Sequence, residues 1–226
     1  MRRPIAVLGA LSLLVLTAAD LGAAPNEAAQ RNNLGASLLE QGKVDEAVAE
    51  FQKAVELEPA NTVAHLNLAY AYDRQGRIEE AVSQYQKVID LEPGNFFAHN
   101  NLGALYDKQG LYEDAIREFE WALEIDPSNA TAVENLENAK GNRATVRERE
   151  ERFAQALEKV EADPTDPRAS YELGRLYASF GEKKQALEWL AKALDLGFDD
   201  LRFMAEDPAL VGLRDDPNFS RLLEPR

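Results

Sequence analysis

Two kinds of side chain recur at a spacing that could do chemistry, a row of asparagines and a pair of histidines. Asn33, Asn67 and Asn101 lie 34 residues apart, and the same interval separates His65 from His99. Because an asparagine amide both donates and accepts hydrogen bonds, a row of them could hold an extended peptide backbone with little regard to its sequence. The histidines follow the same period, which predicts a packing role rather than catalysis or metal binding.

The rest of the sequence contains none of the common catalytic or metal-binding motifs. It has no HExxH sequence, phosphate-binding glycine loop or nucleophile elbow. It also has no cysteine, which excludes disulfides, thiolate nucleophiles, iron–sulfur clusters and cysteine zinc sites. The sequence therefore predicts a protein that is not an enzyme, uses no metal or cofactor, and binds another polypeptide without changing it.

The period of 34 residues extends from Ala28 to Asn129 and holds at five further positions. A small residue beside a leucine allows two helices to approach closely, a glycine closes the turn between them, and an aromatic ring fills the gap. A proline then ends the second helix, because it lacks an N–H and clashes with the preceding turn. The equivalent positions hold Leu34, Leu68 and Leu102; Gly42, Gly76 and Gly110; Ala47, Ala81 and Ala115; Phe51, Tyr85 and Phe119; and Pro59, Pro93 and Pro127.

This pattern resembles the tetratricopeptide repeat, a helix–turn–helix unit of 34 residues. The resemblance implies an all-α fold in which units stack into a right-handed superhelical α-solenoid, because one unit cannot bury its own apolar face. Within residues 25–129 it implies three units, at 28–61, 62–95 and 96–129. Members of this family serve mainly as binding modules, so it also implies a protein–protein interaction scaffold.

In the segment after the third unit, the 34-residue period continues but is shifted by a short insertion. Gly181 follows Gly110 by two periods plus three residues, which predicts a degenerate unit with a short insertion over residues 130–166. We expect a turn at Gly141 in this unit, followed by a long charged helix over residues 143–162.

The C-terminal part of the chain is expected to hold a fourth recognisable unit at 167–200 and capping helices at 201–226. The last segment resembles the terminal module that often follows such repeats in bacterial proteins. Asp before Pro is a helix-start signal, which predicts short helices near Pro208 and Pro217.

The N-terminal residues 1–24 have the features of a secretory signal peptide. Arg2 and Arg3 precede an apolar run over residues 5–16, and small residues suited to cleavage end at Ala19 and Ala24. The run is short against the ~20 residues that a membrane helix needs. We therefore expect an exported bacterial protein, periplasmic or secreted, without stable membrane insertion after cleavage.

The balance of charges favours some partners over others. The chain has 40 acidic and 25 basic residues and a formal net charge of −15. Binding to nucleic acid relies on clustered Lys and Arg, so nucleic acid is not an expected partner. Basic proteins or peptides are favoured, although an acidic surface also serves solubility alone.

The resemblance implies that the first helices of successive units line a concave groove, with the asparagine row along it. The row is similar to the peptide-holding groove in the repeat domain of O-linked N-acetylglucosamine transferase, or else asparagine is simply common at this repeat position. Such a groove would suit a peptide with apolar anchors and Lys or Arg between them. Neighbouring groove positions hold Leu66, Tyr70, Phe97 and Asn100, then Asp73 and Asp107, and in the fourth unit Arg168, Tyr171 and Arg175.

Chaperone-binding members of the family carry a Lys and Arg clamp for a terminal carboxylate. The corresponding positions here hold Asn32, Ala36, Asn67, Phe97 and Asn101. The cations of that clamp are absent, so a chaperone terminus is not the expected ligand.

Two other functional hypotheses remain open. The charged helix over 143–162 has an apolar stripe, which either packs on neighbouring helices or pairs with a partner or a second copy, making a self-associating oligomer. An accessory subunit of an enzyme complex is not separable from a scaffold by sequence. The stripe consists of Val146, Phe153, Leu157 and Val160.

Overall fold

The computed structural model describes residues 26–224, and these form helices and connecting turns without a β-strand. The predicted signal peptide lies outside the described residues. Eleven α-helices and one 3₁₀ helix follow one another along the described chain. Their bounds are α1 Glu27–Glu40, α2 Val44–Leu57, α3 Thr62–Gln75, α4 Ile78–Leu91, α5 Phe96–Gln109, α6 Tyr112–Ile125, α7 Ala130–Ala162, α8 Pro167–Ser179, α9 Lys183–Asp195, α10 Leu201–Glu206, the 3₁₀ helix Pro208–Leu213 and α11 Pro217–Leu222.

The turn chemistry of the repeats explains where the helices begin and end. The turn glycines that follow α1, α3, α5 and α8 all have positive φ, a backbone conformation that glycine adopts at little cost. The side chains of Asn61 and Asn95 begin α3 and α5 by accepting hydrogen bonds from Ala64 N–H and Ala98 N–H, both 3.0 Å long. Each repeat therefore carries its own start and stop signals.

The two helices of a repeat approach closely where glycine faces an aromatic ring. Phe119 of α6 is 1% exposed and lies against Gly103 of α5, where an added Cβ would come within 2.8 Å of the ring. Phe51 and Gly35 form the same contact in the first repeat. The absence of a side chain on one helix thus makes room for a buried aromatic ring of the other.

The helix α7 is longer than the sequence predicts. It runs without interruption from Ala130 to Ala162, so the expected turn at Gly141 does not form. Gly141 is not among the glycines with positive φ, and no proline follows within α7 to stop the helix. The chain divides into two compact units within this helix, the first ending at Arg143 and the second beginning at Ala144.

The core of the C-terminal unit combines α8 and α9 with the segment that follows them. Met204, Leu210, Leu213 and Phe219 are buried together with Tyr171, Ala186 and Leu190. Pro208 and Pro217 occupy the first turns of the 3₁₀ helix and α11, where proline fits because an N–H there has no intrahelical partner. The sequence did not indicate the additional helix α10.

None of the described helices is both long and apolar enough to cross a membrane.

We expect Gly103→Ala to lower the free energy of unfolding by about 1–3 kcal/mol, because the new Cβ would press into Phe119 in a filled core. The matched control is Gly141→Ala, where a Cβ meets open space on α7. That change should raise stability by about 0.5–1 kcal/mol, since alanine is the better helix former. Urea unfolding followed by circular dichroism measures both, and effects of the same sign would contradict the packing argument.

Candidate partner-binding surface

The predicted asparagine row lies on neighbouring first helices, and two amide pairs bridge these helices. Asn67 Nδ2 donates to Asn32 Oδ1 over 2.9 Å, and Asn135 Nδ2 donates to Asn100 Oδ1 over 3.1 Å. Asn32, Asn67 and Asn135 are each 8% exposed. Part of the row therefore stabilises the stacking of one repeat on the next.

Two predicted members of the row have different surroundings. Asn33 is half-buried, and its neighbour Asn32, rather than Asn33 itself, bonds to Asn67. Asn101 follows Leu66 by 35 residues, the spacing of the two bridging pairs, but Leu66 occupies the place that Asn32 and Asn100 fill in those pairs. The Nδ2 atom of Asn101 is buried near the Tyr85 hydroxyl and makes no well-oriented hydrogen bond among the described residues.

The two groove carboxylates also contact the repeat that follows them. Asp73 Oδ1 forms an ion pair with Lys108 Nζ at 2.9 Å, and Asp107 Oδ1 accepts a 3.0 Å hydrogen bond from Asn142 Nδ2. Asp107 is buried, and Asp73 is mostly buried. Both carboxylates are thus partly neutralised or hydrogen-bonded before any partner arrives.

The apolar groove residues Leu66, Tyr70 and Phe97 are half-buried, so each presents part of its surface to solvent. Residues four apart on a helix share a face, which places Leu66 beside Tyr70 on α3 and Phe97 beside Asn101 on α5. Arg74 donates to the Tyr70 hydroxyl over 3.3 Å. This patch combines apolar surface with amide and hydroxyl groups.

Each histidine connects the loop before its repeat to the second helix of the same repeat. His65 Nε2 donates to the carbonyl of Pro59 over 3.0 Å, and His99 Nε2 donates to that of Pro93 over the same distance. Both rings are buried, and the other ring nitrogen faces Gln84 in one repeat and Glu118 in the next. Within residues 26–224, no group of three or more His, Asp and Glu is placed to hold a metal ion.

In the fourth unit, Tyr171 and Arg175 converge on Asp207 rather than on the surface. The Tyr171 hydroxyl donates to Asp207 Oδ2 over 2.6 Å, and Arg175 Nε pairs with the same oxygen at 2.7 Å. Burial alone would raise the pKa of the Asp207 carboxyl, but the hydrogen bonds from Tyr171 and Ala209 N–H and the Arg175 charge together lower it. Arg168 remains exposed.

The apolar stripe of α7 is divided between core and surface. Val160 is buried beside Leu173, and the Phe153 ring lies 4.8 Å from that of Tyr177. Val146 and Leu157 are more than a third exposed. Half of the stripe therefore packs on α8, within the C-terminal unit.

Sequence reasoning missed the partners that bridge the repeats: Asn135, Lys108 and Asn142. Extending the period of 34 from Asn101 would have found Asn135. The bridging contacts themselves join residues 35 apart, one more than the period, and only the packing of adjacent helices reveals that offset.

Paired helices with glycine turns, stacked through rows of polar side chains, define an α-helical solenoid of helix–turn–helix repeats. Models of the tetratricopeptide repeat match residues 38–94, 96–129, and in a third case both 10–62 and 143–200. The chain belongs to the tetratricopeptide-repeat family, and the predicted all-α solenoid is confirmed. The match that begins at residue 10 overlaps the predicted signal peptide.

Several solved structures are similar to part of this chain, whereas the curated protein sequences gave no significant match. The first repeat domain of Spaghetti (RPAP3), bound to the HSP90 peptide SRMEEVD, is 28% identical, covers 52% of this chain and 94% of its own, and has a TM-score of 0.51. The first such domain of human RPAP3 is 28% identical over 54% and 96%, with a TM-score of 0.52. A double mutant of MamA RS-1 is 23% identical over 82% and 100%, with a TM-score of 0.51, and shows the fold alone.

The amide bridge between repeats predicts a stability effect that is separate from partner binding. Asn67→Ala should lower the free energy of unfolding by about 1–3 kcal/mol, because it leaves the buried Asn32 Oδ1 without its donor. Asn33→Ala, on the same row but half-buried, should change it by about 0.5 kcal/mol or less. Urea unfolding compares the two variants, and equal stabilities would show that the bridge contributes nothing.

The contacts of Asp207 predict that acid weakens the C-terminal unit. Because folding lowers this pKa, the stabilisation is complete above the unfolded value of about 3.9 and is lost as the pH falls through the folded value. Asp207→Asn should therefore destabilise the protein at pH 7, by about 1–2 kcal/mol, and progressively less as the pH falls below the unfolded value of about 3.9. Unfolding measured at pH 7 and in acid tests this, with the exposed Asp215→Asn as control; a difference that does not shrink in acid would contradict it.

Proposed function

We propose that this protein is a non-enzymatic scaffold that binds an extended segment of a protein partner along the first helices of its N-terminal repeats. The observation that carries the proposal is the break in the amide row between the second and third repeats. There Leu66 replaces an asparagine, so the amide bridge seen between Asn67 and Asn32 has no equivalent at Asn101, and Tyr70 and Phe97 are partly exposed.

These side chains together suit an extended peptide. The Asn101 amide can donate to a backbone carbonyl after rotation of its side chain, while Tyr70, Phe97 and Leu66 offer apolar surface to the peptide's own anchors. The helices are ordered by repeat stacking, so little additional conformational entropy is lost on binding. The peptide seen on the RPAP3 domain supports this general mode. The cations of the clamp for a terminal carboxylate are absent at the equivalent positions here, so we propose an internal segment rather than a chain terminus.

Charge and the N-terminal sequence extend the proposal to the setting of the protein. The net charge of −15 favours a partner that carries basic as well as apolar residues. The leader-like residues 1–24 support export, and we propose that the mature protein acts in assembly of a bacterial envelope complex. The buried contacts of Met204, Leu210 and Phe219 support a capping role for the C-terminal segment.

The decisive experiment is affinity capture from an envelope extract with the protein and its Tyr70→Ala, Phe97→Ala variant, followed by mass spectrometry. We expect the variant to bind its partner with an affinity about ten- to a hundredfold lower, as for two anchor side chains in an interface. The affinity is measured by calorimetry with a peptide from the captured protein.

The proposed export has its own test. N-terminal sequencing of the exported chain should give a start at Asp20 or Pro25.

The matched control is Trp121→Ala, because this ring is also partly exposed but lies on α6, a second helix. It should leave the affinity unchanged. Equal loss from both variants, or none from either, would overturn the groove as the binding site.

Self-association is the second candidate, favoured by the exposure of Val146 and Leu157 on α7. Self-association requires that the apparent molecular mass rises with protein concentration and that it is lower in the Leu157→Glu variant. Analytical ultracentrifugation decides this, and a monomer at high concentration would exclude it.

A further inference from the structure

The C-terminal unit contains a cleft that the proposed function does not use. It has a volume of about 580 Å³ and lies between the beginning of α8, the connection from α9 to α10, and α10 itself. This volume falls within the range of about 300–1,000 Å³ that is usual for ligand sites. All of its lining residues belong to the unit that begins at Ala144.

Three aromatic rings form the apolar part of the cleft. Tyr171 and Phe198 stack face to face, with ring centroids 4.3 Å apart and an angle of 12° between the planes. Phe203 lies 5.9 Å from Tyr171, and its side chain is 52% exposed. The hydrogen bond from Tyr171 to Asp207 fixes the position of the Tyr171 ring in this stacked pair, and about half of Phe203 is open to solvent.

The charged lining of the cleft is mainly acidic. Asp199, Asp200 and Glu172 contribute carboxylates, against a single guanidinium from Arg168. Glu172 is paired with Arg175 at 3.2 Å, and Asp200 accepts a hydrogen bond from Phe203 N–H over 2.8 Å. The exposed Asp199 and Asp200 therefore supply negative charge beside the open face of Phe203.

We propose that this cleft binds an arginine side chain presented by an extended segment of a partner protein. A guanidinium is planar, stacks on aromatic faces and donates several parallel hydrogen bonds to carboxylates. Phe203 provides the stacking surface, and Asp199 and Asp200 provide the acceptors. The cleft holds more than one side chain, so the backbone next to the arginine is accommodated as well.

This site is independent of the groove in the N-terminal repeats. Its residues are separate from Tyr70 and Phe97, so failure of one site leaves the other unaffected. The mainly acidic lining predicts that the cleft prefers a positively charged ligand over a negatively charged one. Small charged peptides added to the full chain can test this preference.

The test measures binding of an acetylated Gly-Ser-Arg-Ser-Gly amide to the full chain by NMR titration at low salt, beside the same peptide with Glu or norleucine in place of Arg. The arginine peptide should bind most tightly. Phe203→Ala should weaken its binding about two- to fivefold, as for an exposed cation–π contact. Asp199→Asn should weaken it by a similar factor, and Arg168→Gln should strengthen it, because a like charge is removed.

Asp215→Asn is the matched control, since this carboxylate is exposed in the same unit but outside the cleft. It should leave the affinity unchanged. Tighter binding of the glutamate peptide, loss of affinity in Arg168→Gln, or an equal loss in Asp215→Asn would overturn the proposal, as would the absence of binding to the unmodified chain. Phe203 and Asp199 are exposed, and circular dichroism confirms that their variants are folded.

Discussion

The fold depends on one constraint: a single pair of helices cannot bury its own apolar face, so each repeat needs a neighbour. Leu68 and Leu102 occupy equivalent positions and are 2% and 1% exposed, whereas Leu34, at the same position of the first repeat, is 47% exposed. The same residue type is thus buried or exposed according to its place in the stack. The glycine–phenylalanine contact closes a pair internally, but only stacking completes the core.

Stacking also decides which polar side chains remain available for binding. The amide bridge from Asn67 to Asn32 and the ion pair from Asp73 to Lys108 both join consecutive first helices. A side chain that stabilises the stack is costly to divert toward a partner, because its buried counterpart would lose its hydrogen bond. Binding is therefore expected where the row is interrupted, at Leu66 and Asn101, rather than evenly along it.

The sequence predicts the repeats well because their determinants are local. Turn glycines such as Gly76 and Gly110 and the prolines near the helix ends act on the backbone within a few residues, and their period is visible without a structure. The bridging contacts are not local, since they depend on how adjacent first helices pack. The turn expected at Gly141 failed for a related reason: glycine permits a turn but does not impose one when the flanking residues continue the helix.

The placement of the candidate site was predictable only in part. The period placed Asn67 and Asp107 on two separate rows along the groove, but burial and pairing change what each can do. Of the residues that line the cleft, Arg168 and Tyr171 were predicted from the period as groove positions, but Phe203 was not, because it lies beyond the fourth unit, which ends at residue 200.

Net charge and local charge have different consequences in this protein. The total of −15 attracts basic partners from a distance, but salt screens exposed charges over a Debye length of about 8 Å. At contact, the pairing of nearby groups matters more. In the repeats, Asp73 faces Lys108 and Asp107 faces Asn142, so a basic residue gains little there. In the cleft, Asp199 and Asp200 are exposed beside an aromatic ring, and a guanidinium gains both stacking and charge. We therefore expect the repeats to select apolar anchors and the C-terminal cleft to select an arginine.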